Sequence, residues 1–281
     1  MENDCCFFVH QFEYILLLPV NLQSYKTEQS NVMHRIKFYV IGLLFLGLQT
    51  RGNAQDDRKV NLGFTVSPSL SWLETTNAGY EQDGNSAGIK YGLLMDFRLF
   101  GVENYALATG FTMNHISGKL KEASYFSNST GIVVPAVRSS KYKMTYIDMP
   151  LAIRLRTNEI GYTIFYGVFG TELGFNINTK KEYTDTYSTG ETENRTDDVS
   201  ADVNLFRSSL VFGAGVQRHI SGNSYYRIGI TYHNGLTNVL KGDAYKVDGN
   251  NQTLIVDNEP QYDRGLTTKL KLLELNLAII F

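Results

Sequence analysis

Eight segments of this chain alternate between large apolar and small or polar side chains, and this period of two restricts the fold more than any other feature. Successive side chains of a β-strand point to opposite faces, so the pattern predicts strands that each have one apolar face. Every segment is much longer than the ~6 residues of a typical strand. The segments are Val60–Trp72, Ile89–Phe100, Asn104–Ile116, Lys141–Thr157, Ile160–Asn178, Val203–Ile220, Ser224–Val239 and Thr268–Phe281.

The connections between these segments are alternately long and short. Long polar stretches such as 117–140 and 180–202 alternate with turns of a few residues, such as 101–103 and 221–223. This order predicts an antiparallel meander with decorated loops at one rim and tight turns at the other, as in transmembrane barrels. We therefore predict an all-β, eight-stranded antiparallel up-and-down transmembrane β-barrel with long extracellular loops and short periplasmic turns.

A soluble barrel that turns its apolar face inward would alternate in the same way, so the second set of side chains decides between the two. In the first segment that set is Asn61, Gly63, Thr65, Ser67, Ser69 and Ser71. A face in water would favour the long charged side chains of Lys and Glu. Small side chains instead fit the crowded inside of a barrel of about eight strands. The bulky set is therefore expected to meet lipid.

The same small-residue face carries charges of both signs. Because an unpaired buried charge is very costly, charges inside a barrel must pair with one another. We predict a salt-bridged polar plug that fills the interior in place of an open channel. Its members are Asp96, Arg98, Asp148, Arg154, Arg156, Glu172, Arg227 and Glu274.

The stretch 33–54 has the pattern of a secretory signal peptide. A short basic start is followed by the apolar run Phe38–Leu48 and by small residues that end at Ala54. The run is shorter than the ~20 residues of a membrane helix. We interpret 1–32 as an upstream extension with translation starting at Met33, and 55–281 as the barrel domain. The alternative is a double-anchored N-terminus that uses the apolar residues FEYILLLPV. Both cysteines lie in the extension, so the barrel domain offers no thiolate site.

The stretch Tyr146–Ile177, YIDMPLAIRLRTNEIGYTIFYGVFGTELGFNI, resembles the small outer-membrane β-barrels of Bacteroidetes, the PorT-like or "porin family" proteins. An aromatic and an acidic residue precede Pro-Leu, and a basic strand end, a tight turn and a Gly-aromatic strand follow. A leader that ends in Ala-Gln and the terminal Phe281 agree with this resemblance. It implies that Phe281 is a signal to the barrel assembly machinery, and the family supplies no catalytic residues to carry over to this chain. Its namesake branch serves type IX secretion and gliding.

Other chemistry finds little support in the sequence. His115, His219 and His233 lack metal-ligand spacing, so we interpret them as polar residues at strand ends. The motif Phe212–Val216 lacks the helix and third glycine of a dinucleotide site. Acidic loop residues could bind Ca²⁺ or bridge lipopolysaccharide through divalent cations, although a solvated surface explains them as well. These residues are Asp197, Asp198, Asp202, Asp243, Asp248 and Asp257. We predict no catalytic residues, no cofactor and no bound metal.

Three functions remain open. The leading hypothesis is a non-enzymatic barrel of the bacterial outer membrane that acts as a structural or accessory part of the envelope, including type IX secretion. The second is a passive pore for small solutes, although porins with aqueous channels have 16–18 strands. The third is a lipid-modifying enzyme, for which Ser208, Ser209 and His219 supply the residue types of a hydrolase. The expected partners are outer-membrane lipid and lipopolysaccharide, the assembly machinery and secretion-system proteins. A net charge of -2 gives no reason to expect nucleic acid.

Overall fold

The computed structural model describes residues 60–102, 104–127, 133–221, 224–248, 253–256 and 259–281. All of them belong to one compact unit, Asp57–Phe281. The proposed extension 1–32, the signal peptide 33–54 and both cysteines lie outside the described residues. No helix within the described ranges is long and apolar enough to cross a membrane.

Fourteen strands and one short 3₁₀ helix, Ser200–Asp202, make up the regular structure of the described residues. The strands are β1 Val60–Thr75, β2 Tyr80–Gln82, β3 Ser86–Arg98, β4 Tyr105–Ser127, β5 Val133–Arg156, β6 Thr163–Tyr187, β7 Thr192–Asp198, β8 Phe206–Ser221, β9 Ser224–Gly235, β10 Asp243–Tyr245, β11 Ile255–Val256, β12 Glu259–Pro260, β13 Tyr262–Gly265 and β14 Thr268–Ile280.

The eight long strands of the described chain form a closed ring. Their order is β1, β3, β4, β5, β6, β8, β9 and β14, and each is antiparallel to the next. The ring closes where β14 pairs with β1, with Gly63 opposite Ile280. A closed ring leaves no strand edge unpaired, which a membrane-spanning sheet requires. The predicted eight-stranded antiparallel barrel is confirmed.

The orientation of the two faces also follows the sequence pattern. On β1, Phe64 and Val66 are 58% and 50% exposed, whereas Thr65 and Ser67 between them are 5% and 0% exposed. The same alternation places Phe169 and Leu275 on the outside of the ring. The bulky side chains therefore form the outer surface of the barrel, and the small ones line its interior.

Two of the stretches predicted as long loops are partly wrong. The strands on either side continue into them. The stretch 117–140, predicted as a loop, holds the ends of β4 and β5, which pair as far as Ser127 and Val133. Likewise 180–202 contains the end of β6 and all of β7, which pairs with it. In the predicted transmembrane barrel, the outer face of a strand beyond the membrane meets water and needs no apolar residues. The apolar alternation stops there although the backbone pairing continues. The turns at the opposite rim are short, as predicted.

Candidate functional site

The interior of the barrel is filled in three layers. Nearest the short turns lies a group of charges that we call the lower ion cluster, and in the middle lies the central ion cluster. At the long-loop end lies an apolar layer, the apolar cap. The lower ion cluster is Asp96, Arg154 and Arg227. The central ion cluster is Lys90, Asp148, Glu172, Arg207, His233 and Glu274.

The lower ion cluster is built around one carboxylate. Asp96 on β3 pairs with Arg154 on β5, and its second oxygen accepts a hydrogen bond from Arg227 Nη2 on β9 at 2.8 Å. Arg227 also donates to the side-chain oxygen of Gln217 at 2.9 Å. The ring of Tyr166 lies 5.6 Å from the Arg154 guanidinium and 5.4 Å from that of Arg227. Strands from opposite sides of the ring are thus joined across its interior.

The central ion cluster holds a buried arginine between two carboxylates. Arg207 on β8 is 1% exposed, and its Nη2 lies 2.9 Å from both Asp148 oxygens and 3.2 Å from Glu172 Oε1. Asn114 donates to Asp148 Oδ2 at 2.7 Å. Lys90 Nζ lies 2.9 Å from Glu172 and 2.5 Å from Glu274. Charge-assisted hydrogen bonds of this kind are what make burial of these groups tolerable.

His233 completes the central ion cluster. Its Nδ1 lies 3.3 Å from Glu172 Oε1 and its Nε2 lies 3.2 Å from Glu274 Oε2. Carboxylates beside both ring nitrogens fit the imidazolium form, which carries a proton on each nitrogen. That form balances three carboxylates with three cations. His233 lies two residues before the end of β9, as the sequence suggested, but β8 and β14 extend past it and leave it 2% exposed.

The apolar cap closes the long-loop end of the interior. It combines inward side chains of the barrel strands with residues from the segments that follow β7, β9 and β13. Its members are Leu73, Tyr80, Ile116, Leu120, Tyr142, Met144, Tyr146, Val199, Val203, Val239, Leu240, Ala244, Leu266, Leu270 and Leu272. The Tyr146 ring also lies 5.0 Å from the Arg207 guanidinium, so the cap rests directly on the central ion cluster. The prediction of a salt-bridged polar plug did not include this layer.

The structure brings six of the eight predicted interior charges into these two clusters. Asp96, Arg154 and Arg227 meet in the lower one, and Asp148, Glu172 and Glu274 meet in the central one. Arg98 and Arg156 are half-buried and lie one step nearer the short turns on β3 and β5. Sequence reasoning missed Lys90, Arg207 and His233. Each lies on the small-residue face of its segment, so register predicts that its side chain points inward but not that neighbouring strands enclose it.

A further set of charges lies in the extensions of β4, β5 and β6 beyond the barrel wall. Arg138 donates from Nε and Nη2 to Asp185 at 2.6 and 2.8 Å. Burial raises the pKa of the nearby Glu122 carboxyl above its ordinary value. Lys181 Nζ lies 5.3 Å from the Tyr142 ring, and burial lowers the pKa of its ammonium group. These contacts make the extensions one continuous wall rather than separate loops.

The residue types of a hydrolase do not converge in the described structure. Ser209 is fully buried and accepts a hydrogen bond from Arg207 at 3.2 Å, while His219 is exposed near the short-turn end of β8. Ten residues of extended strand separate them by about 33 Å. Within the described ranges, no three His, Cys, Asp or Glu side chains gather as a metal site.

Phe281 lies on the outer face of the ring beside the short-turn end. Its backbone exchanges hydrogen bonds with Leu62 at 2.8 and 3.2 Å, and its ring centroid lies 5.7 Å from that of Phe64. The side chain is 43% exposed. Its role as an assembly signal stays a prediction.

Comparisons with known proteins give one family match and several similar solved structures. A family model described as "Outer membrane protein beta-barrel domain" matches residues 49–240. Neisserial surface protein A aligns at 10% identity and a TM-score of 0.40, over 79% of this chain and 96% of that one. For Ail, the attachment invasion locus protein of Yersinia pestis, the values are 14%, 0.31, 79% and 99%. For the outer membrane protease OmpT from Escherichia coli they are 10%, 0.33, 83% and 99%. No curated protein sequence matches this chain significantly.

Proposed function

Because the chain belongs to the family of outer membrane protein beta-barrel domains, we propose that it is a sealed, non-enzymatic barrel that acts through its rims and outer wall. The family supports a location in the bacterial outer membrane. Within that membrane the bulky outer side chains face hydrocarbon, and the ion clusters are held away from it. Its contribution to the envelope is then structural or accessory.

The observation that carries this proposal is the filled interior. Two layers of paired charges and one apolar layer occupy the ring from its short-turn end to its long-loop end. The side chains at the centre of the two charged layers, Arg207 and Arg227, are 1% and 2% exposed. A solute would have to separate several buried ion pairs to pass, and a buried charge left without its partner is very costly.

A passive pore is the first alternative function, and a conductance measurement tests it directly. We expect the barrel, reconstituted into a planar bilayer, to give no reproducible conductance steps. Insertion is verified by the folded form migrating differently from the boiled form on a gel, and a 16-stranded porin is the positive control. Reproducible open steps from the inserted barrel would contradict the sealed interior.

A lipid-modifying enzyme is the second rival. A nucleophile and its base must lie within hydrogen-bond distance of each other. Ser209 and His219 are too far apart along β8 to act as such a pair. We expect no turnover when the folded barrel is incubated with phospholipid or lipid A vesicles. Release of fatty acid or phosphate above that of a boiled sample would favour the enzyme.

The resemblance to PorT-like barrels adds a finer proposal, an accessory role in type IX secretion. The quoted stretch Tyr146–Ile177 supplies Tyr146, Asp148, Arg154 and Glu172 to the interior layers. Because these residues lie inside the barrel, they support the idea that this chain and PorT-like barrels fill their interiors in the same way. They give less support to the idea that the two bind the same partner. Crosslinking in whole cells, followed by capture of the folded barrel and mass spectrometry, tests the role. Recovery of secretion components would support it, and their absence would leave the general envelope role.

A further inference from the structure

The outer wall of β4, β5 and β6 changes from apolar to basic within two rows of cross-strand neighbours. Three successive rows on this face run from the membrane band toward the long-loop end. They are Met113–Ile147–Phe175, then His115–Thr145–Asn178, then Ser117–Lys143–Lys180. The next row is Lys119–Lys141–Glu182. We call the last two rows the lysine rows.

The lysine rows oppose like charges directly. Lys119 faces Lys141 across β4 and β5, and Lys143 faces Lys180 across β5 and β6. Only Lys143 has an ion pair among the described residues, with Glu182 at 2.5 Å. Like charges directly opposite each other destabilise a sheet. Glu182 also faces Lys141, and Asp198 faces Lys180. Four lysines against two carboxylates leave a net positive surface that favours an anion from outside the chain.

A groove lies on this wall where the apolar surface meets the first lysine row. Its volume is about 510 Å³. Ala87 and Ile89 on β3 contribute apolar surface, Thr145 lies at the middle, and Lys143 and Lys180 border it on the long-loop side. The small side chains of Ala87, Ser117 and Thr145 leave the hollow open to the outside. One part of the groove suits hydrocarbon and the other suits negative charge.

We propose that this groove binds the phosphorylated headgroup of an outer-leaflet glycolipid of the lipid A class. The lysine rows take the phosphates, and an acyl chain runs from the groove along the apolar rows. The charge of the lysines and the apolar rows beside them fit a lipid phosphate better than a free anion, which would use the lysines alone. The inference rests on the proposed membrane-spanning barrel, because that placement sets the groove at the headgroup level.

The test compares two double variants of the full chain with equal loss of charge. Lys143→Gln with Lys180→Gln removes the border of the groove, and Lys246→Gln with Lys269→Gln removes lysines elsewhere on the long-loop side. Native mass spectrometry in detergent measures binding of bis-phosphorylated lipid A. We expect binding to the groove variant to be roughly 30-fold weaker, since each surface lysine contributes about a factor of five toward anionic lipid. The control variant should bind as the unchanged chain does.

Two further arms identify the source of the phosphate. Dephosphorylated lipid A should bind weakly to every version of the chain, and inorganic phosphate should fail to displace lipid A. Equal binding by the groove variant, or displacement by inorganic phosphate, would overturn the proposal. Folding of each variant is checked by gel mobility before and after boiling. A barrel that stays closed in the bilayer assay but binds lipid A without these lysines would overturn this inference alone.

Discussion

Glu172 holds a position in which one carboxylate meets three cationic groups. Lys90 Nζ, Arg207 Nη2 and His233 Nδ1 lie 2.9, 3.2 and 3.3 Å from its oxygens. Only 3% of the side chain is exposed, so water cannot replace these partners. A single residue therefore decides whether the central ion cluster is balanced.

Replacement of Glu172 by Gln should lower the free energy of unfolding by about 3–5 kcal/mol, because the neighbouring cations stay buried without their partner. Urea unfolding of the barrel in lipid vesicles, followed by the fluorescence of Trp72, measures the loss. The matched control is Glu182→Gln, which removes the exposed partner of Lys143 and should leave stability unchanged. Equal stability of the two variants would show that the central cluster is not what stabilises the barrel.

Strand register alone predicts which side chains point into the barrel. Alternation places Asp96, Asp148 and Glu274 on the inward face without any knowledge of the fold. Lys90 and Arg207 share that face, and each lies within the first five residues of its segment. Whether a charge there is enclosed or lies at a rim depends on how far the neighbouring strands extend. That extent is set by pairing with distant parts of the chain, and the apolar outer face does not record it.

At the scale of the strands, β4, β5 and β6 depart furthest from expectation. Their inward side chains keep alternating after the outer face has turned basic, with Leu120 and Glu122 both buried. A prediction based on the apolar outer face ends the strand at the membrane boundary. The inward face, which packs into the apolar cap, carries the information that the strand continues.

Replacement of Leu120 by Ala tests whether this extension is packed structure. Leu120 is 2% exposed within the apolar cap, so the change should cost about 2–5 kcal/mol of unfolding free energy. The same urea experiment measures it. Leu275→Ala, on the outer face of β14 at 43% exposure, is the control and should cost less. If Leu120→Ala were no worse than the control, the stretch would behave as the loop that the sequence first indicated.

At the scale of the whole molecule, the apolar outer surface determines which solvent the barrel needs around it. Side chains such as Phe64, Phe169 and Ile230 are more than half exposed, and they encircle the ring. Soluble monomers rarely expose apolar patches larger than about 600 Å². The barrel is therefore stable as a separate particle only where hydrocarbon covers this surface.

Removal of detergent from the purified barrel should cause aggregation, because the apolar band then meets water. Light scattering during dilution below the critical micelle concentration measures it. A parallel sample diluted into lipid vesicles is the control and should stay dispersed. A monodisperse barrel in plain buffer would show that its bulky side chains do not face lipid.

The pairing of β1 with β14 has a kinetic consequence. Thr65 Oγ1 donates to the Leu277 carbonyl across 212 positions of sequence, at 3.1 Å. Folding slows as contacting residues lie farther apart along the chain. Until β14 arrives, β1 presents a free edge that other chains can pair with. The ring cannot close while the polypeptide is still emerging, because its last strand must pair with its first. The time that the chain spends as an open sheet, more than its final stability, therefore sets the risk of misassembly.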